Sequence, residues 1–156
     1  WENSYTIYVG SGGVGRLSVR TGATVASHGI SVDADSTLLV AGPDSRVELA
    51  VKLTTASDGG DIHIRNGGQL LSRSALIGEQ STLTMDMGRD SRISFSPPGS
   101  KLTNHGVVRL LAGPDAVATH AYFTAGVANW TGRGTLEAIG GTVNETHSRF
   151  IASEQV

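Results

Sequence analysis

Cysteine is absent from the 156 residues, so neither disulfides nor thiolate metal sites can hold this chain together, and its redox compartment cannot be read. No apolar run approaches the ~20 residues that a membrane-spanning helix needs, and no basic-then-apolar leader opens the sequence. Aromatic residues make up 5% and charged residues 17%. Twelve basic side chains face fourteen acidic ones, for a formal net charge of −2, which argues against general nucleic-acid binding, where positive charge supplies the main attraction. Several motifs are missing as well. There is no His-Glu-x-x-His, and the five histidines (His28, His63, His105, His120, His147) have no other short zinc-ligand spacing. Nor is there a Gly-x-Ser-x-Gly elbow, a Walker loop or a strand-to-helix dinucleotide fingerprint. The first residue is Trp1, not Met, which suggests a processed or excised piece whose targeting sequence or neighbouring domains have been removed, and from this export is inferred.

What is abundant is glycine, 21 residues, and the hydrophobic fraction of 38% is enough for a continuous core in a single domain. Ser, Thr, Val, Leu and Ala fill most other positions, a mixture that suits a repetitive β-structure with many turns. A repeat is legible: two apolar residues in alternation, two further positions, then Gly. It runs through Leu17-Ser18-Val19-Arg20-Thr21-Gly22, Thr37-Leu38-Leu39-Val40-Ala41-Gly42 and Ile62-His63-Ile64-Arg65-Asn66-Gly67. It returns as Leu83-Thr84-Met85-Asp86-Met87-Gly88, Val108-Arg109-Leu110-Leu111-Ala112-Gly113 and a degenerate Leu136-Glu137-Ala138-Ile139-Gly140-Gly141. The glycines recur at roughly solenoid-coil spacing.

Alternation places Leu17, Val19, Ile62, Ile64, Leu83, Met85, Val108 and Leu110 inside. A tight corner needing positive φ, or a close backbone approach where a Cβ would clash, accounts for the glycine after each strand. A second anchor follows each corner (Val25, Val47, Leu70, Ile93, Val117, Val143), and Ile30 with Val32, Val51 with Leu53, Leu76 with Ile77, and Leu102 are candidates for a third side. The expected fold is all-β, a right-handed parallel β-helix (β-solenoid) of about six coils with capped ends. Residues 1–14 would form an N-terminal strand and cap, 15–120 the regular coils, and 121–156 an irregular last coil and C-terminal cap. An antiparallel β-sandwich is the competing architecture.

The phrase Gly15-Arg16-Leu17-Ser18-Val19-Arg20-Thr21-Gly22-Ala23-Thr24-Val25 resembles the β-solenoid passengers of bacterial surface and autotransporter-like proteins. The ending Gly132-Arg133-Gly134-Thr135-Leu136-Glu137-Ala138-Ile139-Gly140-Gly141-Thr142-Val143 is similar to segments of exported proteins that carry PEP-CTERM sorting signals, although no sorting signal is present. The chain also resembles parallel β-helix carbohydrate-binding modules attached to xylan-degrading enzymes. These resemblances imply an extracellular or cell-surface location, and the last implies a plant cell-wall glycan as partner. They transfer no functional residue.

Equivalent outward residues of successive coils stack about 4.8 Å apart, giving a ruled surface along which an extended polymer can lie. One expected column is Ser18, Leu38, His63, Thr84, Arg109 and Glu137. Beside it run Arg20, Val40, Arg65, Asp86, Leu111 and Ile139. His63, Arg65, Asp86 and Arg109 would form a polar patch, since Arg forks suit sugar hydroxyls and carboxylates, although a merely solubilising face explains them too. Trp1, Tyr5, Tyr8, Tyr122 and Trp130 are the rings available for stacking, with Tyr8, Tyr122 and Trp130 as the site candidates and Trp130 first because it is the least periodic; core or cap packing is the bland alternative. The expected function is a non-catalytic polysaccharide-binding module without a cofactor. A structural stalk is the alternative, and a lyase or glycoside hydrolase comes third, with Asp86 and Glu137 as the imaginable carboxylate pair. Ca²⁺ at Asp33-Ala34-Asp35 or Asp58-Gly59-Gly60-Asp61 competes with simple turn chemistry. Asn129-Trp130-Thr131 and Asn144-Glu145-Thr146 match the glycosylation sequon, which matters only in a eukaryotic secretory pathway.

Overall fold

A computed structural model describes residues 1–86, 91–95, 101–111, 122–124, 130–131, 133–139 and 149–150, with backbone alone at 122–124, 130–131, 138–139 and 149–150. Strands are numbered in chain order. One six-stranded sheet contains β2 (Arg16–Arg20), β4 (Thr37–Ala41), β6 (Asp61–Arg65), β8 (Thr82–Asp86), β11 (Val107–Leu111) and β14 (Thr135–Ile139), stacked in that order and all parallel. The other sheet carries β1 (Glu2–Val9), β3 (Thr24–Val32), β5 (Arg46–Thr55) and β7 (Gln69–Ile77). It continues through the shorter β9 (Arg92–Phe95), β10 (Lys101–Asn104), β12 (Tyr122–Thr124), β13 (Trp130–Thr131) and β15 (Arg149–Phe150). The chain alternates between the two sheets, and each strand pairs with its equivalent one coil away, which makes a parallel β-solenoid. Among the described residues there is no helix.

The solenoid has about four turns, fewer than the expected six. β2 to β10 make four circuits in which both sheets are continuous, while β11 adds a rung whose return side is reduced to the short β12 and β13, and β14 adds a last rung. β15 lies antiparallel to β12, against the parallel run of the ladder.

Three sides arise because the long strands bend. The pairing of β3 with β5 is regular to Ser27↔Leu49 and resumes at Gly29↔Lys52, while β5 meets β7 at Leu49↔Ser72 and again at Lys52↔Ser74. The corner thus holds one residue in β3 (His28), two in β5 (Ala50, Val51) and one in β7 (Arg73). The bends separate a second side, with Val25, Val47, Leu70 and Ile93 in one inward column, from a third side with Ile30, Leu53, Ala75 and Leu102 in another. Phe123 holds the register of Ile93, a place expected for Val117; Val117 and Val143 lie outside the described residues. Val51 is a corner residue, 40% exposed, and Leu76 pairs with Thr54 and Thr103 on the outer face, so neither anchors the third side.

On the first side Val19, Val40, Ile64, Met85 and Leu110 stack in one column, each buried. Leu38, Ile62, Leu83 and Val108 form a second buried column, while Leu17 at its N-terminal end is half-buried. The β4 register differs by one residue from the expected alignment: Leu38 and Val40 point inward, and Leu39 and Ala41 take the outward places. The reason is the corner. Two residues separate Val19 and Ile64 from their glycines, whereas Gly42 follows Ala41 directly, and Leu38-Leu39-Val40 is apolar throughout, so alternation is silent there.

Gly22, Gly42 and Gly67 have φ of +75°, +100° and +84°, the backbone expected of them; Gly88, Gly113 and Gly141 lie outside the described residues. Buried serines tie these corners across coils. The Ser45 hydroxyl accepts from the Gly22 N–H at 3.1 Å and donates to the Ala41 carbonyl at 2.8 Å. The Ser91 hydroxyl likewise accepts from the Gly67 N–H at 3.1 Å. Replacing Ser45 by Ala leaves the part-buried Gly22 N–H and the buried Ala41 carbonyl without this partner, and a loss of about 1–3 kcal/mol in urea unfolding is expected. An unchanged midpoint would show that the corner does not depend on this hydroxyl.

Candidate functional site

The outer face of the six-stranded sheet brings four of the predicted residues together. Ser18, Leu39, His63, Thr84, Arg109 and Glu137 stack in one outward column. The next column runs Arg20, Ala41, Arg65, then Asp86, Leu111 and Ile139. His63 and Arg65 are therefore neighbours on one rung, Asp86 lies on the next, and Arg109 one rung further. Leu39, though on the outer face, is only 2% exposed.

Arg109 and Glu137 form a ladder pair across one rung, with Nε–H donating to the Glu137 carboxylate at 2.6 Å. Both side chains are more than a third exposed, which limits the pair to about 1 kcal/mol or less. Glu137 is thus already bound. Asp86 stands in the neighbouring column, two rungs away from Glu137. Arg65 is exposed and makes no ion pair among the described residues.

The aromatic candidates are placed elsewhere. Tyr8 is on the third side, 65% exposed, heading an outward column with Ser31, Thr54, Leu76 and Thr103. Tyr122 holds the register of Arg92, Gln69 and Arg46 on the second side. Trp130 pairs with Leu102, which is the register of the inward column Ile30, Leu53, Ala75 and Leu102, and not the irregular position expected of it. The side chains of Tyr122 and Trp130 lie outside the described residues. Tyr5, another of the available rings, is 79% exposed at the bend of β1.

Around Tyr8 the third side carries an open depression. Tyr8 and Lys52 stand at its margins, His28 and Val51 at the corner, and Gly29 at its floor. The hydroxyl residues Thr6, Ser31 and Thr54 line it as well. Gly29 makes the hollow possible, because a Cβ there would come within 2.9 Å of the Lys52 carbonyl oxygen. The signal for this site in sequence is the absence of a side chain, which apolar periodicity does not detect.

Asp33, Asp35 and Asp58 share one margin of the coil, yet among the described residues no group of three or more side chains is arranged to hold a metal. Turn chemistry accounts for part of the acidic run: Asp35 has φ +55°, and Asp33 accepts from the Ser31 hydroxyl at 3.4 Å. Asn129 and Asn144 of the two sequons are outside the described residues. No helix among them is long and apolar enough to cross a membrane. No family model matches the chain, and no curated protein or solved structure matches it.

Proposed function

We propose that this chain is a non-catalytic extracellular module that binds a polysaccharide along its outer sheet faces and serves a larger enzyme or surface protein. The observation that carries the reading is the pair His63 and Arg65, displayed on one rung of a parallel sheet with Asp86 and Arg109 on the next rungs. Such a surface repeats its hydrogen-bonding groups about every 4.8 Å and suits a polymer better than a compact ligand. Arg65 presents its guanidinium fork to solvent, ready to bind hydroxyl or carboxylate oxygens. The resemblance to modules of xylan-degrading enzymes makes plant cell-wall glycans the first ligands to try.

Native electrophoresis through gels containing soluble polysaccharides tests this directly. At least one polymer should retard the chain without release of reducing or unsaturated ends. Arg65→Ala should stay folded and weaken that retardation by about five- to hundredfold in affinity, the value of a lost charge-assisted contact. Unchanged affinity would remove the six-stranded face as the site. If no polysaccharide retards the wild type, a structural passenger that spaces or displays other domains becomes the better account.

A further inference from the structure

The chain has two lysines, Lys52 and Lys101, and the pairing of the third side puts both in a single outward column: Thr6, Gly29, Lys52, Ser74, Lys101. They are two rungs apart, about 10 Å at ordinary strand spacing. The adjacent corner adds His28 and Arg73, both exposed. No carboxylate occupies an outward position of this side among the described residues. Asp33, beyond its rim, accepts from Ser31. The other sides mix their signs: Arg46 pairs with Glu48 on the second, and Arg109 with Glu137 on the first. In a chain with a net charge of −2, an acid-free cationic column is a local departure from the whole.

This column flanks the hollow described above. Over Gly29 a pyranose ring would find the exposed face of Tyr8 to stack on, the hydroxyls of Thr6, Ser31 and Thr54 for its own hydroxyls, and the Lys52 ammonium at the margin. A neutral sugar would use the ring and the hydroxyls and leave both lysines without a role. A sulfated or phosphorylated polymer would use the charges but has no need of an aromatic platform. The combination fits a sugar whose charge is carried by the ring itself.

We propose that the third side binds a uronic-acid polysaccharide, with one uronate seated over Gly29 against Tyr8 and its carboxylate on Lys52, and the polymer running across the rungs to a second carboxylate on Lys101. The inference rests on the polysaccharide-binding reading, adds this face to the six-stranded one and specifies the ligand class it takes.

The test is affinity electrophoresis in gels containing polygalacturonate or the same polymer as its methyl ester, which removes the charges and keeps the sugars. Wild-type chain should be retarded by the acid form and much less by the ester, and the effect should fade with added salt. Lys52→Gln and Lys101→Gln should each weaken binding about threefold or more, and together about tenfold or more. Tyr8→Ala should weaken it as well. All three side chains are exposed, so circular dichroism should show the variants folded. Arg92→Gln, which removes a positive charge from the second side, should leave retardation unchanged. Equal retardation by acid and ester, equal weakening by Arg92→Gln and Lys52→Gln, or a Lys52-dependent preference for dextran sulfate over polygalacturonate would each overturn the proposal. Arg65-dependent binding of a neutral polysaccharide with none of polygalacturonate would overturn it and leave the broader function standing. Retardation by no polysaccharide at all would remove both.

Discussion

Ile64→Asp is expected to unfold the chain. Ile64 is 1% exposed in the middle of the column Val19, Val40, Ile64, Met85 and Leu110, with Val40 above it and Met85 below. A carboxylate there has only apolar neighbours in the column, and burying it uncompensated costs several kcal/mol even if it takes up a proton. Loss of the Ile packing adds about 2–5 kcal/mol, against a typical total stability of about 5–15 kcal/mol. In a solenoid each rung is stabilised only by its neighbours. Failure of β6 therefore separates the N-terminal rungs from the C-terminal ones. Circular dichroism and thermal melting should show no cooperative transition, whereas Arg65→Ala, one residue on and outward, should shift stability by no more than about 0.5 kcal/mol. A soluble Ile64→Asp protein melting like the wild type would mean that the first-side register is wrong.

A comparably large effect is expected from adding one methyl group at Gly78. A Cβ there would overlap the Ala56 carbonyl oxygen and come within 2.6 Å of the Ala56 carbonyl carbon and 2.8 Å of the Ser57 Cα. All of these are backbone atoms of the preceding coil, so no side chain can swing away. The Gly78 N–H is also fixed, donating to the Thr55 hydroxyl at 2.8 Å. Separating the two coils at this corner breaks that bond and disturbs the packing of Ile77, which is fully buried. Gly78→Ala should cost about 3 kcal/mol, the upper part of the usual overpacking range. Gly13→Ala is the control, because nothing lies within 4 Å of the Cβ that it would add. Equal urea midpoints for the two variants would show that the coils are not this close at Gly78.

Gly78 also shows where the sequence was readable and where it was not. Periodicity identified the first side because β2, β6 and β8 alternate strictly, and it identified Gly22, Gly42 and Gly67, whose φ is positive. It passed over Gly78, Gly106 and Gly134, which succeed one another at a second corner. A Cβ on Gly106 would collide with the Gly78 carbonyl, and one on Gly134 with the Gly106 carbonyl. These glycines are required by the approach of neighbouring coils and not by φ, and none stands at the spacing from an apolar pair that marks the glycines of the repeat. The one-residue error at β4 has a related origin, since three consecutive apolar residues carry no information about which of them faces inward.

For the candidate site, sequence spacing sufficed to group His63, Arg65, Asp86 and Arg109, which share one sheet. It failed for residues brought together by bends of variable length. Lys52 and Lys101 are 49 positions apart in the chain, and their common column appears only once the corners of β5 and β7 are counted as unequal. Trp130 was singled out for its isolation from the repeat, yet its backbone is in register with Leu102, an assignment that needed the same corner count.

Those unequal corners have a consequence for how such a chain can change length. Between the second and third sides, β1 and β5 carry two residues where β3 and β7 carry one, and pairing is in step on both flanks. A residue gained at His28 or Arg73, or lost at Val51, therefore leaves each flank facing as before. The same event inside β6 would turn Ile62 and Ile64 out and His63 in. Indels are thus channelled to this ridge, and drift in chain length can accumulate there while both flanking faces keep their chemistry.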